Sequence, residues 1–253
     1  MTGHLAHIRR HPIKSIGGEG LDRVTLIAAR RLPGDREFAV VTERGERNAR
    51  ASETAGQPDR WLPKSCFVRG IASPLVQAIS GGWQDKRIAL THPALPGLTF
   101  DPETEQERLL DWLRPIWPAD SGAASRLVRG AAIWTDNKWP WISILSMTSL
   151  AQLEQEIGHT LGIHRWRGNL WIDGWQPFAE RDMIGQILTI GDVELRVTDH
   201  IGRCDATSSD TDTGQRDLDM VATLERLYGH TEFGIFAEVV TGGNIAIGDR
   251  IAA

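Results

Sequence analysis

Cysteine is scarce in this chain: among 253 residues, only Cys66 and Cys204 carry a thiol. Two cysteines are too few for a disulfide framework, a four-cysteine zinc site or an iron–sulfur cluster held within the chain. The sequence also lacks the Gly-x-Gly-x-x-Gly fingerprint after a strand that is typical of a bound flavin or nicotinamide dinucleotide. If the protein carries out redox chemistry, its electrons therefore come from elsewhere.

Long apolar runs and an excess of one charge are also missing. No stretch approaches the roughly 18 consecutive apolar residues of a membrane-spanning helix, and the N-terminus does not resemble the apolar core of a signal peptide. A net charge of −5 with 24% charged residues gives no reason to expect nucleic acid or an anionic membrane as a partner. We therefore expect a protein of the reducing cytoplasm that binds neither.

What the sequence does contain is a series of short β-strand patterns interrupted by a few helical ones. The clearest hairpin is Ile187–Val197, where apolar residues alternate on both sides of Gly191-Asp192. Pro102–Trp117 has apolar residues at helical spacing, and the segment after Ser146 predicts a second helix that ends at Gly158. The sequence therefore predicts a mainly β protein with a few helices (α+β).

The same patterns divide the chain into two parts. Residues 1–122 are assigned to an N-terminal β-rich domain, and residues 123–253 to a closed or nearly closed β-barrel with two helices. The strand predictions in the first part include Arg36–Thr42, a hairpin partner that turns at residues 43–46 and reaches Arg50, and Leu75–Ile79 followed by a turn at Gly81-Gly82. In the second part, residues 165–172 predict another strand.

The stretch Asp199–Thr207 is the first candidate for chemistry. It places Cys204 directly after Arg203, in a loop that follows the Ile187–Val197 hairpin. A thiolate is both a nucleophile and a soft metal ligand, and a neighbouring guanidinium stabilises it against protonation. A lone cysteine is also often buried as a small hydrophobe, so that alternative stays open for Cys204, and we interpret Cys66 as a core residue.

Two further segments have features of ligand-binding sites. Ile13–Gly20 supplies Lys14, Ser15 and three glycines, so its backbone amides could approach an anion closely, although a flexible hairpin explains the same pattern. Ile133–Ser143 is dense in tryptophan, and such a row of indoles either lines a flat ligand or closes a core or domain seam.

Several of these motifs occur together in a known family. The second part resembles the MOSC domain, named after the C-terminal domain of molybdenum cofactor sulfurase. The first part resembles the β-barrel domain that precedes it in the mitochondrial amidoxime reducing component and its bacterial relatives. The resemblance rests on the order and spacing of Pro12–Ser15, Asp35-Arg36, Arg167-Gly168-Asn169, Pro177–Glu180, Ile190–Leu195, Arg203-Cys204, Asp212-Thr213-Gly214, Phe233-Gly234 and Gly248-Asp249.

The resemblance implies a pyranopterin molybdenum cofactor whose metal is ligated by Cys204. A high-valent metal of this kind favours soft sulfur, and arginine forks recognise the cofactor's phosphate by paired charge-assisted hydrogen bonds. The residues that the resemblance places in contact with the cofactor are Lys14, Ser15, Arg36, Arg167, Asn169, Arg203 and Cys204. We add Asp136, Trp139 and Ser143 as candidate pterin contacts from the tryptophan-rich segment, and Gly202, which stands where eukaryotic members have a serine beside the arginine and cysteine.

The activity that the resemblance implies is reduction of N-hydroxylated compounds or of N- or S-oxides, and a free modified base is a possible substrate. Some bacterial relatives carry a fused ferredoxin-like domain, whereas this chain ends at Ala253, so we expect a separate flavin or iron–sulfur reductase as electron donor. Two alternatives stay open. The protein could be a sulfur carrier or transferase that uses a Cys204 persulfide, or it could only bind and hand on the cofactor.

Overall fold

The computed structural model describes residues 1–54, 61–130 and 137–253, which contain fifteen strands and five α-helices. The strands are β1 (Thr2–Arg10), β2 (Glu19–Leu21), β3 (Arg23–Leu26), β4 (Phe38–Thr42), β5 (Ser80–Gln84), β6 (Arg87–His92), β7 (Leu95–Phe100), β8 (Ala124–Arg129), β9 (Ile142–Ser146), β10 (Leu170–Asp173), β11 (Ile187–Ile190), β12 (Val193–Gly202), β13 (Glu232–Thr241), β14 (Gly243–Ala246) and β15 (Arg250–Ala252). The helices are α1 (Glu43–Thr54), α2 (Pro74–Gln77), α3 (Gln106–Leu113), α4 (Met147–Ile157) and α5 (Met220–Tyr228). The prediction of a mainly β protein with a few helices is confirmed.

Seven strands close into a barrel formed by the second part of the chain together with its first strand. The order around the barrel is β10, β9, β13, β12, β11, β15, β1 and back to β10. Neighbouring strands are antiparallel except for β9 and β10, which run parallel. Closure depends on β1, which pairs with β10 on one side and with β15 on the other. The predicted barrel is confirmed.

Alternating apolar residues fill the inside of this barrel. In the hairpin of β11 and β12, Leu188 lies opposite Leu195 and Ile190 opposite Val193, and all four side chains are buried. Because successive side chains of a strand point to opposite faces, this alternation directs one apolar face inwards. Gly191 turns the hairpin with a φ of 56°, a conformation that glycine adopts without steric cost.

A second core lies in the other β-rich part of the molecule. There β5, β6 and β7 form one antiparallel sheet, and β4 pairs with β8. The core between these strands and α3 includes Phe38, Phe100, Leu109 and Leu113. Strand pairing crosses residue 122, since β1 belongs to the barrel and β8 pairs with β4. The division into residues 1–122 and 123–253 stays a prediction.

Several local predictions are wrong. Residues 43–50 form α1 rather than a turn and a strand, Leu75 lies in α2, and Gly81-Gly82 lies within β5. In the second part, β10 begins only at Leu170, because residues 164–166 form a 3₁₀ turn.

The error in α1 has a tertiary cause. This helix contains no leucine, isoleucine, valine or phenylalanine, so it has no apolar stripe to reveal it. It is held instead by Glu46, whose carboxylate accepts hydrogen bonds from the Ser125 hydroxyl at 2.6 Å and from Arg126 Nε at 3.0 Å on β8. These partners lie about eighty positions away along the chain, where no local pattern shows them.

Two of the other helices, α4 and α5, begin and end at recognisable caps. α4 begins after Ser146, whose hydroxyl accepts a hydrogen bond from the Ser149 N–H at 3.2 Å, and ends at the predicted Gly158 in the left-handed conformation. α5 is capped in the same way by Asp219 and Gly229. Within the described ranges, none of the helices combines the length and apolar character that crossing a bilayer requires.

Candidate functional site

A cavity of about 660 Å³ lies where the barrel meets the first part of the chain. Turns of the first part, the loop before β10 and the end of β12 all contribute to its lining. Ten of the eleven predicted site residues line it: Lys14, Ser15, Arg36, Trp139, Ser143, Arg167, Asn169, Gly202, Arg203 and Cys204. Asp136, the eleventh, lies outside the described residues.

Cys204 lies two residues after β12 and begins a 3₁₀ turn formed by Asp205–Ser208. Its carbonyl oxygen accepts hydrogen bonds from the Thr207 N–H at 2.9 Å and from the Thr207 hydroxyl at 2.8 Å, which fix the backbone beside the thiol. Cys204 is half-buried and lines the cavity. A ligand in the cavity can therefore reach Cys204. Cys66, in contrast, is buried as predicted, and its Sγ accepts a hydrogen bond from Asn48 Nδ2 at 3.5 Å.

The guanidinium of Arg203 is held by backbone carbonyls and aromatic rings. Its Nη1 donates to Trp166 O and its Nε to Phe233 O, each at 2.9 Å, and the group lies 5.3 Å from the centre of the Trp166 ring. Burial lowers the pKa of Arg203 to about 9, against the opposing effect of Cys204. Because neutral carbonyls do not balance a buried charge, an anionic group beside this guanidinium is favoured.

Arg36 is positioned by a buried carboxylate. Asp35 accepts a hydrogen bond from Arg36 Nη1 through Oδ2 and one from the His11 N–H at 2.7 Å through Oδ1. Burial would raise the pKa of Asp35, but Arg36 and His11 outweigh it and hold this pKa well below its usual value. The His11 ring lies 3.4 Å from the same carboxylate, and burial together with Arg167 and Arg36 keeps the pKa of His11 well below its usual value.

Backbone conformations of low occurrence cluster around the cavity. Ser15, Arg36 and Arg167 have φ values of 63°, 47° and 50°, and they are three of the six non-glycine residues with positive φ in the described ranges. The left-handed region costs a non-glycine residue roughly 1–2 kcal/mol, and such residues are concentrated at functional sites. Arg36 Nη2 donates to Arg167 O at 2.9 Å, and Arg167 Nη1 donates to Gly17 O at 2.7 Å. These bonds connect the first part of the chain to the barrel at the cavity.

Three further predicted site residues, Lys14, Ser143 and Asn169, are buried. Lys14 is buried, and its N–H donates to Phe38 O at 2.8 Å. Asn169 Oδ1 accepts a hydrogen bond from the Ser143 hydroxyl at 2.8 Å, and its Nδ2 donates to Arg9 O at 3.2 Å. Ser143 and Asn169 therefore tie β9 and the loop before β10 to β1, and their contact with a cofactor stays a prediction.

Gly202 and Trp139 lie on the open side of the cavity. A Cβ atom added to Gly202 would meet nothing within 4 Å. Trp139 is 50% exposed and stacks on Trp141 with ring centres 6.0 Å apart, and Trp141 lies 5.9 Å from the Phe236 ring. Phe236, Trp141 and Trp139 form one side of the cavity, which we call the aromatic wall.

Sequence reasoning did not select several residues that support the site. Arg165 is 1% exposed, and its Nη1 donates to Asp217 Oδ1 at 2.8 Å and to Thr207 O at 3.0 Å. Gln77 Nε2 donates to Ala206 O at 2.9 Å. Both side chains hold the turn after Cys204, and their partners are too distant along the chain for spacing to reveal them. The lining residues that were not selected also include Trp61, Lys64, Lys138, Trp166 and Asp199.

Positive charge predominates in the cavity. Among the described lining residues, Asp199 is the single acidic one, and seven are basic: Lys14, Arg36, Lys64, Lys138, Arg165, Arg167 and Arg203. Two of the seven, Arg36 and Arg165, form ion pairs with Asp35 and Asp217, so basic groups still outnumber the acidic Asp199 in the lining. The whole chain has a net charge of −5, so this excess is local. Such concentrated charge in a cleft attracts anions.

No set of three or more His, Cys, Asp and Glu side chains within the described ranges is arranged to hold a metal ion. The reactive and charged groups of the cavity include the thiol of Cys204 and several basic side chains.

Comparisons with known proteins agree with this architecture. Residues 141–252 match the model of the MOSC domain family. The chain is 34% identical to a molybdenum cofactor sulfurase of Drosophila willistoni over 91 residues, which are 36% of this chain and 11% of that protein. The crystal structure of the YuaD protein from Bacillus subtilis superposes with a TM-score of 0.50 over 99% of this chain and 94% of that one, at 12% identity, which shows a common fold. Residues 141–252 of this chain are therefore similar to the MOSC domain family.

Proposed function

We propose that this protein is a molybdenum-cofactor-dependent reductase of N-hydroxylated compounds or of N- or S-oxides, with the Cys204 thiolate as the metal ligand. The observation that carries the proposal is that the half-buried Cys204 lines a cavity together with seven basic side chains drawn from both parts of the chain. A nucleophilic cysteine needs one or two neighbouring cations, whereas this distribution suits a large anionic ligand bound beside the thiol.

The residues present fit the cofactor. Its phosphate requires cationic donors, and Lys14, Arg36 and Arg167 line the cavity from the turns that meet at Arg167. Ser15 follows Lys14 in the same turn, has a positive φ, and adds a hydroxyl to the cavity lining. Arginine forks bind phosphate through paired hydrogen bonds, and lysine acts as a point charge. We therefore assign Lys14, Ser15, Arg36 and Arg167 to the anionic end of the cofactor.

At the other end, Cys204 would ligate the metal, with Arg203 beside it. Arg203 places a positive charge beside Cys204, and the hydrogen bonds from Thr207 to the Cys204 carbonyl oxygen fix the backbone at that residue. When bound, the cofactor supplies a metal that exchanges two electrons. Removing an oxygen atom from a nitrogen or sulfur centre consumes two electrons and two protons and releases one water molecule.

The electrons come from another protein in this proposal. Cys66 and Cys204 are too few to ligate an iron–sulfur cluster, and the sequence has no dinucleotide fingerprint. We propose a flavin or iron–sulfur reductase as donor, in the reducing environment of the cytoplasm.

A second candidate function is sulfur transfer, in which Cys204 carries a persulfide. It is favoured by the name of the Drosophila willistoni relative, a molybdenum cofactor sulfurase, whose length this chain matches over 11%. The basic residues of the first part favour the reductase, because a persulfide carrier has no need of phosphate-binding side chains far from its thiol.

The test uses protein produced in a host that synthesises the cofactor. We expect molybdenum and pterin in the purified protein, and turnover of 6-hydroxylaminopurine, an N-oxide or a sulfoxide with reduced viologen but not with NADH alone. Turnover with NADH alone would refute the need for a donor protein. Metal-free protein that accepts sulfur from a cysteine desulfurase would favour sulfur transfer. Bound cofactor without turnover of any substrate class would favour a role in cofactor handling.

A further inference from the structure

The carboxylate of Asp199 differs from the other charged groups of the cavity. It is the single acidic residue among the described lining residues, and it is exposed. Lys14 and Arg165, in contrast, are 5% and 1% exposed. The buried cations therefore lie deep in the site, and the negative group lies at its mouth.

Strand register places Asp199 beside the aromatic wall. Asp199 pairs with Phe236 where β12 and β13 run side by side, and Trp141 and Trp139 extend the wall outwards from Phe236. Trp139 already attracts a cation, since Lys138 Nζ lies 4.9 Å from its ring centre. Ring faces favour cations and flat groups, and a carboxylate favours cationic N–H donors.

We propose that Asp199 and the aromatic wall select flat ligands that carry a positive charge, with Asp199 as the specificity-determining residue. This inference rests on the proposed function, because an anionic cofactor deep in the cavity would neutralise the buried cations. The charges that remain next to the aromatic wall are then those of Asp199 and of the exposed Lys138. The preferred substrates are N-oxidised compounds with an aromatic ring and a cationic group.

The position of Asp199 also sets where that charge lies on the substrate. Asp199 precedes Cys204 by five residues, and a strand rises about 3.3 Å per residue, so the two side chains are separated by up to roughly 16 Å. Because this value is the largest separation that the strand allows, the cationic group lies at most that far along the substrate from the oxygen that is removed. A molecule of two linked rings spans this distance better than a single ring.

Lys64 and Lys138 are the competing groups, since both are exposed and line the same cavity. If they decided the selectivity, anionic ligands would bind more tightly than cationic ones. Lys138 lies over Trp139 on the loop before β9, whereas Asp199 lies on β12, the strand that leads to Cys204. The two possibilities therefore predict opposite charge preferences.

The first experiment measures binding by titration calorimetry of cofactor-loaded protein with benzamidine and with benzoate, which have similar size and opposite charge. We expect benzamidine to bind more tightly, and Asp199→Asn to weaken its binding roughly two- to fivefold while benzoate affinity stays the same or improves. Trp139→Ala should weaken benzamidine as well. The matched control is Asp192→Asn, an exposed aspartate at the turn of the same hairpin, which should change neither affinity. Equal affinities in the wild type, or an unchanged benzamidine affinity in Asp199→Asn, would overturn the proposal.

The second experiment separates this inference from the proposed function. Two-ring pyridine N-oxides that carry an aminomethyl or a carboxylate group at the far end are compared as substrates with reduced viologen. We expect a higher kcat/KM for the cationic compound, reduced in Asp199→Asn mainly through KM. Turnover of both compounds at equal kcat/KM would refute the selectivity and leave the reductase function standing. Absence of turnover with a normal benzamidine preference would refute the reductase function and leave the charge selectivity of the cavity standing.

Discussion

Arg36 Nη2 donates a hydrogen bond to the backbone carbonyl of Arg167, 2.9 Å away, although the two residues are 131 positions apart in the chain. Both have a left-handed backbone, and both line the cavity that contains Cys204. The bond joins a turn of the first part to the loop before β10. The same contact therefore shapes the site and holds the two parts together, so each test of a site residue here needs a separate measurement of folding.

Replacing Cys204 by serine should remove molybdenum and reductase activity. A serine hydroxyl stays protonated at neutral pH and is a hard oxygen ligand, whereas the metal favours soft sulfur. Metal analysis and viologen-linked turnover should both fall below roughly a tenth of the wild-type values, while pterin is partly retained by the basic residues. Cys66→Ser is the control, because Cys66 is buried away from the cavity lining. Full turnover by Cys204→Ser would contradict the metal-ligand assignment.

Arg36→Glu should abolish most cofactor binding. The change places a carboxylate beside Asp35 and the cofactor phosphate, and an unpaired buried charge costs roughly 3–5 kcal/mol. Pterin content, measured by fluorescence after oxidation, should fall below roughly a tenth. Arg23→Glu, at an exposed position of β3, makes the same charge change away from the site and should keep its pterin. Normal pterin in a stably folded Arg36→Glu protein would show that the first part of the chain does not reach the cofactor.

Asp35→Asn should lower stability in a pH-dependent way. The folded-state pKa of Asp35 lies below the unfolded value of about 3.9, so its contribution is complete above that pH and is lost as the pH falls. Breaking the pairing with Arg36 should cost roughly 3 kcal/mol at pH 7. In denaturant titrations, the difference in free energy of unfolding between wild type and Asp35→Asn should shrink from about pH 5 to about pH 3, a range that brackets the unfolded-state pKa.

The control for this measurement is Asp111→Asn. The Asp111 side chain is 65% exposed and pairs with Arg114 on the surface, so its replacement should change the free energy of unfolding by less than about 1 kcal/mol. If the loss in Asp35→Asn is the same at every pH, the buried pairing is not the source of the pH dependence.

Gly202→Ser should leave the fold intact. A Cβ atom at this position meets nothing within 4 Å, so the new side chain has open space. Gly234→Ser is the contrasting variant, since Gly234 has a φ of 84° and its Cβ would lie 2.8 Å from Ile144 O. Thermal unfolding should show a midpoint within about 1 °C of wild type for the first variant and several degrees lower for the second. Similar losses in both would show that Gly202 is constrained by contacts other than those around its Cα.

Local patterns were sufficient for some elements and not for others. The β11–β12 hairpin and the end of α4 at Gly158 follow from alternation and from turn or cap residues within the segment itself. α1 could not be predicted in this way, because contacts of Glu46 with β8 stabilise a helix that has no apolar face. Pro74 at the start of α2 was a usable signal, since proline is favoured in the first turn of a helix.

The sequence by itself determined the mainly β class and the position of Arg203 next to Cys204, because periodicity and adjacency are properties of neighbouring residues. Only the tertiary structure decided which distant groups surround that thiol. β1 closes the barrel by pairing with β10, and this pairing brings the turn with Lys14 to the loop with Arg167. The tertiary structure also directed Asn169 towards Ser143 and placed Asp199 beside the aromatic wall. Such placements depend on hydrogen bonds and packing between distant segments, with 26 positions between Ser143 and Asn169 and 150 between Gly17 and Arg167, and no local spacing in the sequence encodes them.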